Sequence, residues 1–234
     1  MKKVVSLLLT ICIIITSSIA GFASEDTIRK PSSLDPGDSF AIGKLINKLN
    51  RKGKSYVVLC VDTPKFNSLD AITIDGRGRV DVGHTFLAIH NEKEDYTKVE
   101  GFYPKGDVTA EKILTKASVK GTKKNDRYHR MNGAKVFYIS DKQADSIIAY
   151  MKSHRNYTYN LEDYNCSTFA IKALRYAGIR NHGVRKHKWK IPSKFLNTQS
   201  KKLYNMLIGF YGYTPANTLD DIKGTSNYYG PTDL

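Results

Sequence analysis

The chain has 234 residues, 41% of them hydrophobic and 25% charged, and its 37 Lys and Arg against 22 Asp and Glu give a formal net charge of +15. Such a length holds one domain with a substantial core and some extensions, and no internal repeat or low-complexity block divides it. The charge calls for anionic partners, but no specific nucleic-acid partner is expected. The basic residues are scattered, densest over 112–130 and 180–194, with no stacking platform or helix-turn-helix pattern beside them.

Lys2 and Lys3, the apolar run Val4 to Ile15 and the small residues ending at Ala23 read as a cleaved secretory signal over residues 1–23. The apolar core is shorter than the ~20 residues a membrane span needs. The mature chain is therefore expected to be exported, periplasmic or secreted, with no transmembrane span. Residues 24–54 read as a leader and a helix, with Asp35 as cap and Pro36 at the first helical position. Ile42, Leu45, Ile46 and Leu49 trace one helical face that ends near Gly53.

Ser55 to Val61 has the apolar continuity of an interior strand. The polar segment Asp75 to Val82 reads as a loop, His84 to His90 as a strand, Asn91 to Asp95 as a tight turn and Tyr96 to Tyr103 as the antiparallel return. Thr109 to Ala117 suggests a short helix, and Lys116 to Met131 a basic, mobile connection. Ala134 to Ile139 follows as a strand. Ser140 with Gln143 forms a capping-box pattern ahead of Ile147, Ile148 and Met151, which predicts a helix to about His154. Strands with flanking helices define an α+β domain over 55–200, followed by an extension, 201–234, whose Gly, Pro, Asn and Tyr content predicts irregular structure from Gly209 onward.

The chemistry concentrates at Tyr164-Asn165-Cys166-Ser167. Phe169, Ala170, Ala173, Leu174 and Ala177 repeat at helical spacing after it and Gly178 supplies the stop, so Cys166 opens a helix. Unpaired N–H groups and the positive end of the macrodipole there favour a thiolate. Cys60, inside Val57-Val58-Leu59-Cys60-Val61, has the surroundings of an inert buried thiol, and a disulfide between the two is not expected.

A thiolate acting on a carbonyl needs a base, a group that orients the base and donors for the oxyanion. His84, directly after Gly83 at the start of an apolar strand, is the candidate base. His90 beside the turn is expected to face solvent, and His129, His154, His182 and His187 lack a strand setting. If 91–95 is a tight hairpin, Glu100 comes close to Phe86 or His84 and orients the imidazole, with Asp62 in reserve. The oxyanion donor is the backbone N–H of Cys166, aided by a tyrosine such as Tyr164 or Tyr103. His84, His90 and Cys166 lack the spacing of a zinc site, and the loop around Gly76-Arg77-Gly78 lacks a phosphate cradle, so no metal or cofactor is expected.

The segments Gly83-His84-Thr85-Phe86-Leu87-Ala88-Ile89, then a hairpin, and Tyr164-Asn165-Cys166-Ser167-Thr168-Phe169-Ala170 on a helix, resemble the circularly permuted papain-like cysteine hydrolases. That group includes NlpC-related amidohydrolases and lecithin retinol acyltransferase-like enzymes, and the likeness runs from about Tyr56 to Leu196. It implies a permuted papain-like fold, an antiparallel sheet packed on helices, with Cys166 as nucleophile, His84 as general base and a polar third residue on the next strand, here Glu100. It further implies cleavage of amide or ester bonds, with peptidoglycan or another anionic envelope component as the expected partner. Two other readings are a thiol-dependent lipid esterase or acyltransferase, and a cationic envelope-binding or toxin-like module without catalysis. Oligomeric state is not read from the sequence.

Overall fold

The computed structural model describes residues 39–74, 80–105, 118–192 and 209–233. The segments read as a signal and as a leader with an Asp35-Pro36 helix start, and the helix expected over 109–117, lie outside the described residues. In chain order the elements are β1 (Phe40–Ala41), α1 (Ile42–Asn50), β2 (Tyr56–Asp62), β3 (Thr73–Ile74), β4 (Val80–Asp81), β5 (His84–Asn91) and β6 (Tyr96–Pro104). Then come β7 (Val119–Asn125), β8 (Arg130–Met131), β9 (Gly133–Tyr138), α2 (Asp141–Ser153), β10 (Thr158–Tyr159) and α3 (Cys166–Tyr176). The described chain closes with β11 (His187–Lys188), β12 (Tyr211–Gly212), α4 (Pro215–Ile222) and β13 (Tyr228–Tyr229).

A seven-stranded antiparallel sheet in the order β10-β7-β6-β5-β2-β9-β13 organises these elements into an α+β fold. Its centre is covered on both faces. Val57, Leu59, Val61, Leu87 and Ile89 point toward α2, α3 and α4, where they meet Ile147, Met151, Phe169, Leu174, Leu219 and Ile222. The alternate residues Tyr56, Val58, Cys60, Phe86 and Ala88 meet Ile42, Leu45 and Leu49 of α1. Both faces of β2 and β5 being dry explains why these strands are continuous apolar runs rather than alternating ones. Each fully buried large apolar side chain here contributes about 1.5–3 kcal/mol.

Local chemistry sets the helix starts. Ser140 accepts from the backbone N–H of Gln143, and the Gln143 side chain returns a bond to the Ser140 N–H, so the expected capping box is formed. Thr214 caps α4, with Pro215 at the first helical position. The tail from Gly209 is therefore not irregular: α4 buries Leu219 and Ile222 in the main core, and β13 pairs with β9. On the other side of the sheet, α1 begins at Ile42 after Ala41, and Phe40–Ala41 pairs with β8.

The segment read as a mobile connection is a strand. Residues Val119–Asn125 pair with β6 along one side and β10 along the other. Its lysines hide the strand because a lysine packs its methylene stem on the sheet and still delivers its charge to water. This correction matters most for the site, since Asp126 follows β7 directly.

Candidate active site

Cys166 is the first residue of α3 and is placed by its predecessor. The Asn165 side-chain oxygen accepts from the Thr168 N–H at 2.9 Å, and its Nδ2 donates to the carbonyls of Leu161 and Tyr213, both at 2.8 Å. All of that amide's bonds go to fixed backbone, so the helix entrance is held on three sides. A cap of this kind is worth about 1 kcal/mol. Phe169, one turn on, stacks on Phe102 of β6 with centroids 4.7 Å apart and ring planes 9° apart.

His84 opens β5 after Gly83, whose φ of 69° and close approach to the Asp62 carbonyl leave no room for a Cβ. The residues that follow His84 and Cys166 are bonded to each other: Thr85 Oγ1 and Ser167 Oγ lie 2.7 Å apart and buried. That bond fixes the start of β5 against the start of α3. It brings the Cys166 thiol and the His84 imidazole together, and each shifts the titration of the other.

The group orienting His84 is Asp126. Its Oδ2 lies 3.0 Å from Nε2 of His84, and its Oδ1 accepts from the Tyr103 hydroxyl at 2.5 Å. His84 is 3% exposed and Asp126 4%, so their attraction is little screened by water. Gly101 of β6 lies directly beneath this pair. A Cβ there would come within 2.2 Å of Asp126 Oδ2 and 2.3 Å of His84 Nε2.

Glu100 does not take part, which corrects the expectation from sequence. The hairpin register pairs Phe86 with Gly101 and Leu87 with Glu100, so alternation turns Glu100 to the opposite face from His84. There it forms an ion pair with Lys123. Asp62, the reserve candidate, accepts instead from His129 Nε2 at 3.0 Å. His129 packs against His84 with ring centroids 5.2 Å apart, so a second His–Asp pair backs the first.

Sequence reasoning missed both Asp126 and His129 because they follow the strand hidden among lysines; the signal was the turn sequence Asn125-Asp126-Arg127 closing a strand. His90 is also corrected. It is buried, stacked on Tyr56, and held by Thr97 Oγ1 at 3.0 Å and Glu92 Oε2 at 2.9 Å. The two tyrosines expected as oxyanion donors are committed elsewhere, Tyr103 to Asp126 and Tyr164 to the Tyr150 hydroxyl at 2.7 Å.

The electrostatics follow from these contacts. Burial by itself pushes the His84 imidazolium down, but the charge and hydrogen bond of Asp126, with those of Cys166, outweigh it and raise His84 to about 10. For Cys166, burial favours the neutral thiol, yet His84 and the backbone N–H groups of Thr85 and Ser167 overcome it and lower the thiol below its ordinary value. The arrangement therefore favours a thiolate–imidazolium pair. Cys60, by contrast, is buried and its thiol is pushed well up; the two cysteines are both free.

Cys166 lines a narrow recess together with Ala71, Val82, Tyr159, Leu161, Trp189 and Pro215. Among the described residues, no group of three or more His, Cys, Asp and Glu side chains is disposed to hold a metal, and no helix is long and apolar enough to cross a membrane. Compared with known proteins, the chain matches no protein-family model, no curated protein and no solved structure.

Proposed function

We propose that this chain is an exported cysteine hydrolase of permuted papain-like build that cleaves an amide bond in the peptide part of the cell envelope. The observation that carries this reading is the row Cys166–His84–Asp126: a thiol at a helix N-terminus, an imidazole whose charge favours the thiolate, and a buried carboxylate 3.0 Å behind the imidazole.

Each group has a distinct part in the reaction. The Cys166 thiolate adds to the carbonyl carbon, and the C=O π pair moves onto oxygen. The oxyanion then collapses, the C–N bond breaks, and the leaving amine takes the proton from the His84 imidazolium. Neutral His84 next draws a proton from water, the hydroxide adds to the thioester, and the thiolate departs with the acid released. Asp126 keeps the ring oriented and stabilises its charge throughout. The first-turn N–H of Cys166 has no acceptor within its own helix and supplies a donor for the oxyanion.

The net charge of +15 suits an anionic envelope, with attachment that weakens as salt rises. The test is incubation of the mature protein with purified sacculi and mass analysis of what is released. Cys166→Ala is expected to abolish release while leaving the thermal melt near that of the parent; release by that variant at the parental rate would overturn the assignment.

A further inference from the structure

With Tyr103 and Tyr164 both occupied, the recess beside Cys166 needs another side-chain donor if it has one at all. Trp189 lines that recess and is 5% exposed, yet its Nε1 has no hydrogen-bond partner. A buried donor without a protein acceptor is costly and uncommon, and one beside a candidate nucleophile is available to a bound substrate. The other two unpartnered buried polar side-chain atoms among the described residues, Asn217 Nδ2 and Thr218 Oγ1, belong to residues of α4 that do not line the recess.

Trp189 is also firmly placed. Its backbone N–H donates to the Phe210 carbonyl at 2.9 Å, and its ring meets Phe210 edge-on at 5.2 Å. The preceding residues pair with β12, and the Lys190 carbonyl accepts from the Ala71 N–H at 2.8 Å. A donor fixed before the substrate arrives needs no reorganisation when charge develops.

We infer that the indole N–H of Trp189 donates to the oxyanion formed when Cys166 adds to a substrate carbonyl, which makes Trp189 a catalytic residue alongside the backbone N–H of Cys166. The inference rests on the hydrolase reading above. When the sulfur–carbon bond forms and the π pair moves to oxygen, the indole N–H gains the acceptor it otherwise lacks; collapse of the oxyanion releases it again. The donor is worth most in the transition state, so its loss acts on turnover more than on substrate affinity.

Trp189→Phe keeps an aromatic ring and removes the donor. The expected result is a fall in kcat of about 10²-fold or more with KM little changed. Alkylation of Cys166 by iodoacetamide, a displacement at saturated carbon that forms no oxyanion, is expected to stay at the parental rate. Parental turnover, or an equal loss in turnover and alkylation, would overturn the inference.

A second measurement needs neither the variant nor the hydrolase substrate. Trp189 is the one tryptophan of the chain, so protein labelled with nitrogen-15 tryptophan gives a single indole resonance. Propionaldehyde adds to Cys166 as a hemithioacetal and places an oxygen where the oxyanion would be. At aldehyde levels that block iodoacetamide labelling, the indole proton is expected to shift downfield and exchange more slowly with water; an unmoved resonance would overturn the inference. A parent that releases nothing from sacculi would count against the hydrolase reading, while the aldehyde experiment still judges the indole.

Discussion

Nε2 of His84 passes so close over Gly101 that a single added methyl group would sit 2.3 Å from it. The flexible ends of lysines can yield to such an intrusion, but a ring clamped between Asp126, Tyr103 and His129 cannot. Gly101→Ala is therefore expected to fold, because its β6 backbone is ordinary, and to push the imidazole off line. A displacement near 1 Å costs about 10²-fold in rate. Kinetics alongside a thermal melt check this, and undiminished kcat/KM in the variant would count against the placement of the ring.

Asp126 and Glu100 make a direct contrast. Asp126→Asn keeps the shape and removes the charge that holds up the His84 imidazolium, so turnover is expected to fall by about 10²–10⁴-fold. Glu100→Gln breaks only the pair with Lys123, both partners of which are partly exposed, and should leave turnover close to parental. The reverse ranking of the two variants would return the orienting role to β6.

The pH behaviour follows from the directions of the two shifts. His84 is raised from 6.5 to about 10 by Asp126 and Cys166 against the opposing effect of burial, so its contribution to stability is full below pH 6.5 and is lost as pH rises through about 10. Cys166 is lowered, so its thiolate contribution is present above the ordinary thiol value and fades as pH falls through the lowered one. Turnover should accordingly hold through the neutral range and drop as pH passes about 10. Iodoacetamide labelling followed by peptide mapping should find Cys166 modified below the pH of an ordinary thiol, with Cys60 untouched in the native protein. Equal labelling of the two cysteines would contradict the ion pair.

Cys166 and His84 were legible in the sequence because each sits on a strongly patterned element. The apolar face of Phe169, Ala170, Ala173 and Leu174 marks the helix that Cys166 opens, and the run after His84 marks a strand buried on both sides. The sequence did not carry Asp126. Val119 to Asn125 has neither alternation nor aromatic content, and it becomes a strand through pairing with β6 and β10. Glu100 was misassigned by one residue of register, which in a sheet is the difference between two faces. The tail misled for another reason: Thr214 and Pro215 are a legible helix start, but the glycines and tyrosines on either side obscured an eight-residue helix.

Pairing of Tyr228–Tyr229 along β9 gives that strand's outer backbone a neighbour, and Pro215 in the same tail forms part of the wall beside the sulfur. Trimming the last twenty residues would thus do two unrelated kinds of harm, baring a sticky strand edge and unroofing the Cys166 sulfur. Affinity handles for purification belong at the other end of the chain.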